Sequence, residues 1–292
     1  MDWLPLTLVC AFTLASADAA TKRYLADYTA LELTVIRFVF TGLLLAPLLF
    51  IQPLPSLPWA FWGWLAVLLP LEILAMLLYM RAIRSSPLAQ TLPYLAFTPV
   101  FSAVTGFVLL GERISVQALT GILLVTLGAY LLNLDRLFAG QRLSLFMPLK
   151  AIMHHPGSRL MLITAILYSV TSVLGKGALQ YMPPTFFGPF YFCVLGLSTL
   201  ILVSVRRMNI IGLLWRRPAS HLLVGWLMAV MIITHFLAIQ RVEVASMLAV
   251  KRTSLLFGIV YGALLFKEAH LAQHLSAGAV IVLGVLLIAD KG

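Results

Sequence analysis

The chain consists of long apolar runs separated by short polar segments. Ten runs approach the roughly 20 residues with which a helix crosses the hydrocarbon core of a bilayer. Proline, glycine and charged residues punctuate the chain between them, as in Gln52-Pro53-Leu54-Pro55. A membrane-spanning strand would instead show alternating polarity over about 10 residues. The pattern predicts an all-α integral membrane protein with ten transmembrane helices, near residues 3–21, 30–51, 59–80, 87–110, 114–134, 160–181, 185–205, 220–240, 244–266 and 271–289.

The composition excludes a water-soluble protein. Hydrophobic residues make up 62% of the 292 positions and charged residues only 10%, against about 45–50% and 25% in soluble domains. The mean hydropathy is +1.02. The formal net charge is +10, but the basic residues lie mostly in short loops, where they set topology and contact lipid headgroups. We therefore expect membrane lipids as partners and no nucleic acid.

The two halves of the chain resemble each other. Five spans precede a long connection and five follow it, which predicts a first repeat at residues 1–134, a connecting loop at 135–159 and a second repeat at 160–292. Because five is odd, the second half enters the bilayer from the opposite side, as in the inverted repeats of transporters that alternate access around a midplane site. The equivalent positions are Tyr79-x-x-Ala82-Ile83-Arg84 and His235-x-x-Ala238-Ile239-Gln240, Gly111-Glu112 and Lys267-Glu268, and Gly128 and Gly284, all 156 residues apart, together with Lys22 and Lys176, and Gly42 and Gly196, 154 residues apart.

These positions also carry a family resemblance. The chain is similar to the EamA-type proteins of the drug/metabolite transporter (DMT) superfamily, which have ten helices in two inverted five-helix repeats. The resemblance covers nearly the whole chain. Its markers are Tyr79-x-x-Ala82 before the fourth span, Pro99-Val100 within it, Gly111-Glu112 after it, the glycines Gly121 and Gly128 of the fifth span, and Lys267-Glu268, Gly278 and Gly284 in the second half.

The resemblance implies a secondary-active transporter in the cell inner membrane, a multi-pass protein and not an enzyme. It leaves the substrate open, because relatives handle amino acids, drugs, nucleotide sugars and phosphorylated metabolites. No nucleotide-binding motif, catalytic constellation or metal-ligand cluster occurs in the sequence, and His154-His155 is too short to form a metal site. We expect no cofactor and no metal, and either a monomer or a homodimer.

Lys251 and Arg252 are the sharpest candidates for a binding site. They lie near the middle of the ninth span, and a charge at that depth costs at least about 2.5–3.5 kcal/mol on insertion scales. One interpretation is a structural ion pair of one of them with Glu72 or Glu243. The other is an anion site, in which arginine offers a planar fork and lysine a point charge to phosphate or carboxylate.

A narrower resemblance concerns the same pair. Consecutive lysine and arginine in the ninth span resemble the phosphate-binding pair of the triose-phosphate translocators in the same superfamily. The likeness extends to Lys251 and Arg252 only, since the matching part of span four, Tyr94-Leu95-Ala96, has no lysine. Leu255 stands where the first half has Pro99, so we expect the ninth span to be straighter than the fourth.

Other polar residues within the spans complete the predicted substrate site. Glu72 follows Pro70 and is a candidate for proton coupling, because a buried carboxylate can be protonated. Asp18, Lys22 and Arg37 are interpreted as residues near the interface, the last because spans two and seven are peripheral in the family. The predicted site comprises Lys251, Arg252, Glu72, the repeat mates Tyr79 and His235, Tyr94 and Gln90 on span four, and Lys176, which is flanked by glycines.

The resulting hypothesis is a transporter that moves a small anionic metabolite, phosphorylated or carboxylated, by alternating access, with proton coupling through Glu72. Three alternatives remain open. The first is a flippase for a phosphate-headed lipid. The second is an exporter of amino acids or drugs, with the cations cancelled by Glu72 and Glu243. The third is a membrane scaffold or integral enzyme.

Overall fold

A computed structural model of the protein describes residues 3–51, 53, 55–85, 92–137, 156–205, 209–266 and 275–290. Every regular element within these ranges is helical, which confirms the predicted all-α class; the two inverted five-helix repeats stay a prediction. The α-helices are α1 (Trp3–Tyr24), α2 (Ala30–Leu45), α3 (Trp59–Ser85), α4 (Thr98–Leu110), α5 (Val116–Leu137), α6 (Pro156–Ala178), α7 (Pro184–Val205), α8 (Ile210–Trp215), α9 (Pro218–Ile239), α10 (Val244–Lys251), α11 (Ser254–Phe266) and α12 (Leu275–Ala289). Short 3₁₀ helices occupy Ala46–Phe50, Leu92–Phe97 and Leu179–Tyr181.

The helices coincide with the predicted spans. Six of them, counting the 3₁₀ extensions of α2 and α6, are long and apolar enough to cross a membrane: α1, α2, α3, α6, α7 and α9. The other four predicted spans overlap α4, α5, α10 with α11, and α12, which are not among these six, so ten crossings stay a prediction. The predicted connecting loop falls mostly on residues 138–155, which lie outside the described residues. Helix α6 begins at Pro156, four residues before the predicted span, and proline is common in the first turn of a helix.

The bounds of the helices recur along the chain at the offsets found in the sequence. Helix α1 ends at Tyr24 and α6 at Ala178, 154 residues later. Helix α2 begins at Ala30 and α7 at Pro184, again 154 residues later. Helices α4 and α11 begin and end 156 residues apart. The packing repeats as well. Helix α1 packs on α9, and their equivalents in the other half, α6 and α3, also pack on each other.

Helices α2 and α7 cross in close contact at two glycines. A Cβ added to Gly42 would lie 2.7 Å from the backbone oxygen of Phe192, and one added to Gly196 would lie 3.1 Å from that of Phe38. The rings of Phe38 and Phe192 pack edge to face, with centroids 5.8 Å apart. Gly42 contacts Phe192, and Phe38, earlier on α2, contacts Gly196, later on α7. The two helices therefore run antiparallel.

Helices α5 and α12 form a second contact of the same kind. A Cβ on Gly121 would lie 2.7 Å from the oxygen of Gly284, and one on Gly128 would lie 2.9 Å from that of Ala277. Gly121 contacts Gly284, and Gly128, later on α5, contacts Ala277, earlier on α12. These helices are therefore antiparallel as well. Small residues let helix backbones approach closely where lipid gives no hydrophobic driving force for association.

The ninth span is interrupted in its middle, even though Leu255 stands where the fourth span has Pro99. That it is straighter than the fourth stays a prediction. Helix α10 ends at Lys251 and α11 begins at Ser254. Between them the N–H groups of Arg252 and Thr253 donate to carbonyls three residues back, on Ala249 and Val250, each over 3.0 Å. This is a tightened 3₁₀ turn. It needs no proline, and it brings the two cations to the C-terminal end of α10, where the helix dipole favours positive charge.

The fourth span contains the same irregularity at the equivalent place. The 3₁₀ helix Leu92–Phe97 runs directly into α4 at Thr98, which is the repeat equivalent of Ser254. Leu95 and Lys251 are therefore equivalent positions, each in the turn that precedes the longer helix. The two halves share the irregular turn, and only the second half places cations in it.

The close contact at Gly42 generates a stability prediction. Gly42→Ala should lower the melting temperature of the purified protein by several degrees, because the new methyl group would collide with backbone rather than with a flexible side chain. The matched control is Gly63→Ala on α3, where an added Cβ meets nothing within 4 Å and alanine favours the helix. Tryptophan fluorescence on heating measures both. An equal loss of stability in the two variants would contradict this interpretation of the α2–α7 contact.

Candidate functional site

A cavity of about 810 Å³, counted with its opening, lies among α1, α2, α3, α6, α7, α9 and α10. Its wall combines charged and polar groups with three methionines, Met76, Met228 and Met231, and with apolar side chains. The polar lining residues are Arg37, Glu72, Tyr79, Tyr168, Thr171, Ser172, Tyr191, His235, Lys251 and Arg252. Such a wall can bind a small solute that carries both charge and a carbon skeleton.

Lys251 and Arg252 are both buried and both line this cavity, with 9% and 4% of their surface exposed. The ammonium of Lys251 lies 3.4 Å from Nδ1 of His235 and 3.7 Å from the sulfur of Met231. The Nε of Arg252 is buried without a hydrogen-bond partner. Among the described residues no carboxylate lies within ion-pair distance of either cation, so the structure does not support the interpretation that one of them pairs with Glu72 or Glu243.

Glu72 lies half-buried on α3 and lines the same cavity. Thr171 and Lys251 line the cavity together with it. Tyr79 and His235, the predicted repeat mates, also line the cavity. The structure therefore brings five of the eight predicted site residues together: Lys251, Arg252, Glu72, Tyr79 and His235.

Arg37 belongs to a buried network that the sequence analysis missed. Its Nη2 lies 2.6 Å from Oδ1 of Asp18 and donates to the hydroxyl of Thr21 over 2.9 Å. The hydroxyl of Tyr79 donates to the other carboxylate oxygen of Asp18 over 2.6 Å. Arg37 is 1% exposed and lines the cavity. The interpretation of Arg37 and Asp18 as interface residues is therefore wrong, because the two charges are partners in the interior.

Helices α2 and α7, expected at the periphery, both contribute to the cavity wall, through Arg37 on α2 and through Tyr191 and Phe192 on α7. The remaining residues that the sequence analysis missed are hydroxyl-bearing: Tyr168, Thr171 and Ser172 on α6. A single uncharged hydroxyl within an apolar run carries no recognisable signal. Only the fold shows which helix face it occupies.

Lys176 lies outside the cavity wall. Its ammonium lies 2.6 Å from Oε1 of Glu112 and donates to the carbonyl of Val242, also over 2.6 Å. The other carboxylate oxygen of Glu112 accepts the N–H of Val244, the first residue of α10, over 3.0 Å. Gly111 ends α4 in the left-handed conformation, with φ +67°. Gly111 therefore ends α4, and Glu112 accepts a hydrogen bond at the beginning of α10.

The two site residues predicted on span four differ in outcome. Tyr94 is 4% exposed and is not among the residues that line the cavity, although its neighbour Leu95 is. Gln90 lies outside the described residues. Span four therefore contributes a leucine to the wall at the position where the ninth span contributes Lys251.

Comparison with known proteins identifies the family. The sequence model of the EamA-like transporter family matches residues 1–134 and 155–289. The chain belongs to this family. Membership confirms the resemblance to the DMT superfamily and identifies a multi-pass membrane transporter of small molecules. No curated protein matches the chain.

Solved structures share the fold of this EamA-like transporter, and 28 chains match. One of them, a crystal structure of a protein, covers 99% of this chain and 99% of its own length, with a TM-score of 0.72 and 16% sequence identity. At that identity the likeness shows the fold alone. The nature of the solute has to be argued from the cavity of this chain.

The position of Lys176 generates a prediction about its role. Lys176→Met should destabilise the transporter by about 1–3 kcal/mol, because it leaves the Glu112 carboxylate in a mostly buried place without its cation. The affinity of the folded protein for a solute should not change, since Lys176 does not reach the cavity. Thermal unfolding and isothermal titration measure the two effects separately. A loss of affinity at unchanged stability would place Lys176 in the binding site.

Proposed function

We propose that this EamA-like protein is a secondary-active transporter of the cell inner membrane that moves a small anionic metabolite, bearing phosphate or carboxylate, by alternating access. The observation that carries the proposal is the pair Lys251 and Arg252. Both are buried, both line the cavity, and neither has a carboxylate within ion-pair distance among the described residues. An anionic solute would supply the missing charge-assisted hydrogen bonds.

The balance of charge around the cavity supports an anion. Arg37, Lys251 and Arg252 are three cations in its wall. Glu72 in the wall and Asp18 behind Arg37 are the carboxylates nearest to them. With both carboxylates ionised the site retains one excess positive charge. An uncompensated charge is costly away from water, so binding of an anion is favoured.

The rest of the wall suits a metabolite with a short carbon skeleton. Met76, Met228 and Met231 provide an adaptable apolar surface. The hydroxyl of Tyr191, which lines the cavity and has no partner among the described residues, provides a further donor.

Alternating access by two inverted five-helix repeats is the proposed mechanism. The antiparallel contacts of α2 with α7 and of α5 with α12 support the inversion, because each pair joins helices at equivalent places in the two halves. The matching 3₁₀ turns before α4 and α11 support it as well. A mid-helix 3₁₀ turn often marks a hinge, so bending at these turns would let the halves rock around the cavity.

Proton coupling through Glu72 is part of the proposal. Glu72 lies in the cavity wall and acts electrostatically on Lys251. Protonation of Glu72 would raise the excess charge of the site from one to two, which favours a dianion over a monoanion. Release of the proton after reorientation would weaken the binding of that dianion and promote its release.

The anion proposal is tested by Lys251→Gln and Arg252→Gln. Each should abolish uptake of the labelled anion that the wild type transports in proteoliposomes, chosen from phosphate, succinate and 3-phosphoglycerate, because the buried counter-charge is lost. The matched control is Arg216→Gln, which removes an exposed arginine paired with Asp27 over 2.7 Å and should leave uptake unchanged. Wild-type uptake in both site variants would refute the anion site.

The coupling proposal is tested by Glu72→Gln, which mimics the protonated form permanently. Wild-type uptake of succinate should rise as the external pH falls, because protonated Glu72 adds to the positive charge of the site. The variant should bind succinate at least as well as the wild type and lose this pH dependence. Counterflow and gradient-driven uptake in proteoliposomes separate the two effects. A variant with an intact pH response would exclude Glu72 as the proton carrier.

A further inference from the structure

Arg37 uses only one of its three guanidinium nitrogens within the protein. All of its hydrogen bonds run from Nη2, to Asp18 over 2.6 Å, to Thr21 over 2.9 Å and to the carbonyl of Ala17 over 3.5 Å. Its Nε and Nη1 are buried and have no partner among the described residues. A guanidinium offers five N–H donors in a fixed plane, so most of its binding capacity is unused.

Such unused donors are costly in an interior. Leaving a buried donor unsatisfied costs about 1–3 kcal/mol, and more for a charged group. Asp18 cannot turn both oxygens to Arg37 without losing the hydrogen bond from Tyr79 to its second oxygen. The ring of Tyr79, 5.9 Å from the guanidinium carbon, holds the same side chain from α3. Arg37 is therefore fixed in place beside the cavity that it lines, with two of its nitrogens left without a partner among the described residues.

The position of Arg37 relative to the other cations defines the kind of solute. Arg37 belongs to α2, in the first half of the chain, whereas Lys251 and Arg252 lie at the end of α10, in the second half. All three line one cavity. Cations from both halves of the chain therefore surround the same space.

We propose that Arg37 is a further substrate-binding residue and that the solute carries two acidic groups, one bound by Arg37 and the other by Lys251 and Arg252. This inference rests on the proposed function and specifies its substrate class. Asp18, Thr21 and Tyr79 act as positioning residues for Arg37. A solute bound from both halves would also tie their relative movement to its presence, which alternating access requires.

The test uses two pairs of probes that differ in one acidic group: succinate with butyrate, and 3-phosphoglycerate with glycerate. Isothermal titration of the full-length protein in nanodiscs should show that the wild type prefers the doubly acidic member of at least one pair by about 10-fold or more. Arg37→Gln should remove that preference and change the affinity for the singly acidic probe by less than about 2-fold. Arg216→Gln should behave as the wild type.

Two further variants address folding and positioning. Arg37→Lys keeps the charge that pairs with Asp18 but loses the planar fork. It should therefore fold and show a reduced preference for the doubly acidic probe, and it replaces Arg37→Gln in the test if that variant does not fold. Asp18→Asn should reduce the same preference without affecting singly acidic probes. An equal loss for both members of a pair would indicate a merely structural role for Arg37.

The outcomes separate this inference from the proposed function. No preference for the second acidic group in the wild type, or none lost in the Arg37 variants, would overturn the inference. If Lys251→Gln loses both probes while the Arg37 variants keep the preference, the anion site stands and only the role of Arg37 is refuted. If Lys251→Gln and Arg252→Gln bind every probe as the wild type does, the anion site itself is wrong.

Discussion

The cost of placing a charge inside a bilayer constrains this protein more than any other interaction. An ion pair with Asp18 offsets this cost for Arg37, and one with Glu112 offsets it for Lys176; in each pair the nitrogen lies 2.6 Å from a carboxylate oxygen. Lys251 and Arg252 have no such partner among the described residues, and they face a cavity instead. The Lys176–Glu112 pair is therefore structural, whereas under the proposed function a solute offsets the charge at the end of α10.

Small residues place these charges around a common space. Gly42 and Gly196 bring α2 and α7 together, and Gly121 and Gly284 do the same for α5 and α12. In both pairs the backbones touch, so neither contact can shift without breaking close packing. The cavity lies beside the α2–α7 contact, which explains why α2 and α7 contribute to its wall rather than lying at the periphery.

The irregular backbone after α10 and the carboxylate of Glu112 before it determine where Lys251 and Arg252 lie. The 3₁₀ turn at residues 252–253 ends α10 directly after Lys251, while Glu112 satisfies the N–H of Val244 at the other end of this eight-residue helix. The dipole of α10 therefore has a carboxylate at its positive end and cations at its negative end. The cations and the dipole of α10 therefore stabilise each other. The fourth span has an irregular turn at the equivalent place without cations, so the irregularity belongs to both halves.

The sequence by itself determined the helical membrane fold, and it singled out Lys251, Arg252 and Glu72, which the fold brings to one cavity, because a charge within an apolar run is visible in one dimension. It could not assign Arg37, since Asp18 lies 19 residues away on another helix and no spacing rule links them. Lys176 looked equally functional, and only the approach of Glu112, 64 residues distant, removed it from the cavity. Helix packing decides which buried charges meet each other and which meet the cavity, because that choice depends on how helices face one another in three dimensions.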